Sequence, residues 1–175
     1  MLGPQVPQNH PLVTLFASTV DDVMRTHVAT HGYEPLGNYL TGLLVAFMRA
    51  ERLDAIRDHD GRPLRTLSEM LAAGDVRQHA DSFEREREVN RLLGDLILFG
   101  SGVMPAYLRR MTLTDGYVSP DEVVAQGRES YSVVGSFDYG RYADEAPVYR
   151  ALAEQFDDCV WVLRQVAHRV PLYAA

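Results

Sequence analysis

The stretch from Leu92 through Leu93, Gly94, Asp95, Leu96, Ile97 and Leu98 to Phe99 constrains the fold of this chain more than any other. Read as a helix, it is apolar on almost every side, and a helix that is hydrophobic all round belongs in the middle of a structure, covered by others. It is too short to cross a bilayer, which takes about 20 apolar residues. It also follows directly on the charged segment Asp81, Glu84, Arg85, Glu86, Arg87 and Glu88. The remaining chain must therefore supply the helices that bury it. With 175 residues, 46% hydrophobic and 23% charged, the chain has the apolar content to do so. A chain of this size buries roughly 68–70% of its unfolded surface, so no disulfide or metal staple is required.

Helical periodicity runs through nearly the whole sequence. Leu12, Phe16, Val20, Val23 and Val28 predict a helix over 11–30, with Gly32 as its C-terminal cap. Pro35 opens a second over 35–57, with Tyr39, Leu40, Leu43, Leu44, Phe47 and Met48 on its apolar face. It ends at the turn from Arg57 through Asp58, His59, Asp60 and Gly61 to Pro63. Leu67, Met70 and Leu71 mark a short helix over 66–73, closed by Gly74. The longest helix is predicted over 76–100, broken by Gly100, Ser101 and Gly102, with a short helix from Pro105 to Met111 beyond it. Ser119, Pro120 and Glu122 form a capping box that starts a helix reaching Ser136. A last helix over 145–168, built on Val148, Leu152, Phe156, Val160, Leu163 and Val166, ends at Pro171. No run alternates as a strand would. The expected architecture is all-α: a single-domain bundle of six or seven helices over 11–170 with a central buried helix, preceded by a flexible N-terminal arm over 1–10.

Charge and cysteine exclude several function classes. The net charge is −7, and every one of the 17 bases is arginine. An acidic chain with no basic block is poorly suited to neutralise phosphates, so no nucleic-acid partner is expected. It also lacks a polybasic segment for an anionic membrane. Cys159 is the single cysteine and follows Asp157 and Asp158. Neighbouring carboxylates disfavour a thiolate, so it reads as a packed core thiol. Met1 to His10 has no charged region followed by an apolar one, so no signal peptide is expected and the chain reads as cytoplasmic.

Asp95 is the residue most in need of explanation. A buried carboxylate must protonate or find partners. Arg91 lies one turn earlier, and Glu88 lies in the same stripe. Tyr131, beside Ser130 on a later helix, is a candidate to complete a buried polar centre of Glu88, Arg91, Asp95 and Tyr131. Such a centre is either a structural ion pair that fixes helix register or the lining of a ligand pocket. The alternating acids and arginines of 84–88 read as a solvated face. No pair of Glu-x-x-His sequences exists for a di-metal bundle. His27 and His31 have one-turn spacing, but Val28 stands where a zinc-protease helix carries glutamate, and histidine suits a helix C-terminus anyway. Neither a metal nor a cofactor is expected, and no complete catalytic constellation is present. Nucleophile elbows, phosphate loops and Cys-x-x-Cys pairs are all missing.

The block Arg85-Glu86-Arg87, Leu93-Gly94-Asp95, Leu98-Phe99, Gly102 and Pro105 resembles a bacterial family of small all-helical proteins with no assigned function. The similarity continues through Gly127, Ser130, Tyr131, Ala146, Pro147, Leu152, Phe156 and Cys159 and spans about 10–168. The chain departs from that pattern at Gly100, in place of a large aromatic, and at Ala106, in place of an acid. The resemblance implies one helical, bacterial, cytoplasmic domain in which Arg91, Asp95 and Tyr131 share a polar centre; it implies no substrate.

The expected function is that of a non-enzymatic helical interaction or scaffold module, self-associating or serving as a subunit of a bacterial assembly. Trp161, Val162 and Tyr149, outside the main stripe of the last helix, are the candidate contact surface. The alternative is a small-ligand binder or enzyme with a polar pocket around Asp95, Arg91 and Tyr131.

Overall fold

The computed structural model describes residues 9–27, 33–49, 53–78, 80–113, 116, 119–170 and 172. Among them are eight α-helices: α1 (Pro11–Thr26), α2 (Glu34–Phe47), α3 (Leu67–Ala73), α4 (Phe83–Gly102), α5 (Pro105–Thr112), α6 (Pro120–Ser136), α7 (Ala146–Glu154) and α8 (Phe156–Arg169). A 3-10 turn at Gly140–Tyr142 precedes α7. The described residues contain no strand, and their only bridge outside helices is an isolated antiparallel one between Arg57 and Pro63. The all-helical reading of the periodicity is thus met, with more helices than the six or seven expected. The proposed arm over 1–10 falls mostly outside the described residues, as do Val28, Gly32 and Pro171.

Helix α1 ends at Thr26, short of the expected 30, where the backbone of His27 turns extended (φ −107°, ψ 112°); four further boundaries differ from the sequence expectation, each for a physical reason. Helix α2 stops at Phe47 rather than running to 57. Its inward stripe of Leu36, Leu40, Leu43, Leu44 and Phe47 is followed in the sequence, three and four places on, only by the small Ala50 and the charged Glu51, and Ile56 enters the core from an irregular segment instead. That segment turns at Asp58, whose carboxylate accepts from the backbone N–H of Asp60 and Arg62, with Gly61 at φ 79°. Helix α4 starts at Phe83 rather than at 76, because Ser82 caps it by accepting from the Arg85 N–H. At its other end α4 continues through Gly100 and Gly102 instead of breaking there. A Cβ at Gly102 would lie 2.6 Å from Leu163 Cβ, so the glycine marks the close approach of α8 rather than a helix stop. The last predicted helix is two helices, α7 and α8, offset at Gln155 (φ −107°, ψ 30°). The expected capping box of α6 is present, Ser119 and Glu122 closing it in both directions; Thr66 and Glu69 form a second one at α3 that the sequence reading did not single out.

The C-terminal half of α4 is buried on every side from Leu92 to Gly100. Helix α4 as a whole packs against α2, α3, α5, α6 and α8. One contiguous apolar cluster joins Phe16 of α1, Leu40 of α2, Ile97 of α4, Val134 of α6, Leu152 of α7 and Leu163 of α8. Phe47 and Phe99 stack within it, 4.3 Å between centroids. Cys159 is buried in the same cluster, and burial, with Asp158 adding to it, pushes its thiol up to about 12, far from a reactive thiolate.

Candidate functional site

Helix α4 sets Arg87, Arg91 and Asp95 at successive four-residue steps, so their side chains lie along one stripe. Asp95 is 1% exposed in the middle of the apolar half. Its partners arrive from three helices. Tyr39 of α2 donates its hydroxyl to Asp95 Oδ1 at 2.5 Å, and Tyr131 of α6 donates to the same oxygen at 2.9 Å. Arg91 Nη1 donates to Oδ2 at 3.3 Å. Three donors on one carboxylate supply what water would otherwise supply to a buried charge. Gly94 makes this possible: a Cβ there would stand 2.7 Å from Cε1 of Tyr131 and push the ring off α4.

Burial, then the Asp95 charge, raises the hydroxyls of Tyr39 and Tyr131 well above the ordinary phenol value. Both therefore stay protonated and donating at neutral pH. Tyr149 of α7 closes the ring of aromatics, edge-on to Tyr39 at 5.5 Å and 6.0 Å from Tyr131, and burial raises its hydroxyl too. For Arg91, burial acts downward, but the hydrogen bond to Glu88 and the Asp95 charge outweigh it, and the net shift is upward. Arg91 is thus a fixed cation between two carboxylates: its Nε and Nη2 donate to Glu88 at 3.1 and 2.7 Å.

Of the four residues expected to form a buried centre, Arg91, Asp95 and Tyr131 do meet. Glu88 touches Arg91 but is exposed, standing one position round the helix from the buried Arg87. Within the charge run expected to be a solvated face, Arg87 is an exception. It is buried, pairs with Glu145 at 2.6 Å, and lies over the Tyr142 ring at 4.1 Å. Its Nε is buried without a hydrogen-bond partner. The four-residue spacing from Arg87 to Arg91 and Asp95 was a signal that could have found it. Nothing near Tyr39 or Tyr149 in the sequence marks them as neighbours of Asp95, and nothing near Glu145 marks it as the partner of Arg87.

The histidine candidate within the described residues stands apart from this centre. His27, at the end of α1, exchanges a 2.8 Å hydrogen bond with Asp158 and stacks on Trp161 at 4.4 Å. His31 and His79 lie outside the described residues. Among the described residues, no group of three or more His, Cys, Asp or Glu side chains is placed to hold a metal ion. No helix among them is long and apolar enough to cross a membrane. The contact surface expected on the last helix is corrected: Tyr149 and Val162 are buried, because α7 and α8 turn them into the core, and Trp161 alone of the three is exposed.

Among the grooves between the described helices, three stand out. One of about 320 Å³ lies between α1 and α2 and is lined by Met24, Tyr33 and Gly37 among others. One of about 450 Å³ lies between α6 and α7, beside Asp138 and Arg150. The third, about 700 Å³, lies between α5, the start of α6, and α8. None of the three is lined by Arg91, Asp95, Tyr39 or Tyr131. No family model matches this chain, and neither the curated proteins nor the solved structures contain a match to it.

Proposed function

We propose that the protein is a single-domain, non-enzymatic helical interaction module built around α4, acting in a bacterial cytoplasm through protein contacts, with itself or within an assembly. The observation that carries this reading is the closure of the Asp95 centre. Its carboxylate accepts from Tyr39, Tyr131 and Arg91, all of them protein donors. The grooves described above lie elsewhere. The chemistry most suited to a ligand is engaged in holding α2, α4 and α6 together, while apolar side chains stay on the outside. Nucleic acid is not part of the proposal, given the net charge of −7.

Light scattering on the purified chain, with affinity capture from the source cell, tests this. A self-associated species or a retained partner is expected; a strict monomer that retains nothing overturns it. The alternative, a small-ligand pocket around Asp95, Arg91 and Tyr131, draws on one feature, the 23% exposure of the Arg91 side chain at the edge of the centre. Under that alternative, Asp95→Asn abolishes binding of a ligand found by screening while the parent binds it.

A further inference from the structure

We draw no further inference here: the strongest candidate, the apolar groove between α5, the start of α6 and α8 with Leu113 and Trp161 in its lining, carries nothing because nothing in the structure shows what covers it.

Discussion

Around Asp95 and in the α5–α6–α8 groove, the same fold treats side chains in opposite ways. At Asp95 a carboxylate lies where water cannot reach it, and two tyrosines and an arginine replace that water. In the groove, Leu113 and part of Trp161 lie where water does reach them, although His27 stacks on the Trp161 ring. The first arrangement is tolerable only because every donor is in place, since a stranded buried charge is far more costly than an unfilled apolar groove. The second is tolerable because exposed apolar area costs little in the monomer and becomes useful on contact. Polar chemistry in this protein thus serves stability, and its exposed apolar surface is what the proposed interaction role would draw on.

The largest expected effect strikes the closed side of this comparison. Asp95→Ala strands the Tyr39 and Tyr131 hydroxyls and the Arg91 cation together and is expected to cost about 3–5 kcal/mol. Set against a total stability of roughly 5–15 kcal/mol, that loss shows as a large drop in the urea midpoint. A variant that melts with the parent would mean the centre is not closed in solution.

Next comes the packing that admits Tyr131. Gly94→Ala adds a Cβ 2.7 Å from the Tyr131 ring. Overpacking of this kind costs about 1–3 kcal/mol, more than the roughly 1 kcal/mol that alanine gains over glycine within a helix. A stabilised Gly94→Ala protein would show that Tyr131 can leave α4 without consequence.

Alkaline pH gives a graded test. Tyr39 and Tyr131 hold their protons in the folded state above the ordinary phenol value of 10.0. Their stabilisation is complete below that value and is lost as pH rises above it, because the unfolded chain then releases protons that the folded chain keeps. Each such tyrosine contributes a fall of about 1.4 kcal/mol per pH unit. The chain has no lysine to titrate in the same range, and Cys159→Ser removes the one buried thiol. In that background Tyr131→Phe should make the alkaline limb of a denaturation-versus-pH curve shallower by one proton; an unchanged slope would separate Tyr131 from the Asp95 charge.

The smallest effect belongs to the open side. Leu113→Asp replaces an exposed residue and should change monomer stability by no more than about 0.5 kcal/mol, read by thermal melting at a dilution where only monomer is present. A large loss there would place Leu113 in the core and erase the contrast between the two regions.

Much of the fold was legible before any coordinates, and the reason is that its signals are local. Helical periodicity, the Ser119 capping box, the Asp58 turn and the Arg91–Asp95 step each depend on residues within about one turn of each other, where chain geometry alone brings side chains together. The burial of Asp95 followed from the apolar residues on either side of it. Tertiary structure alone decided the rest. Tyr39 reaches Asp95 from 56 residues away and Glu145 reaches Arg87 from 58, and no local spacing encodes either meeting. Tyr149 and Val162 looked like surface because the apolar stripe was drawn too narrow: Tyr149 stands three places before Leu152 and Val162 four before Val166, and the neighbouring helices bury that wider face, while the offset at Gln155 has neither glycine nor proline to announce it. Which faces of two helices meet depends on how their ridges and grooves interlock along the whole contact. That is why the carboxylate at the centre could be read from the sequence, and most of the ring of side chains around it could not.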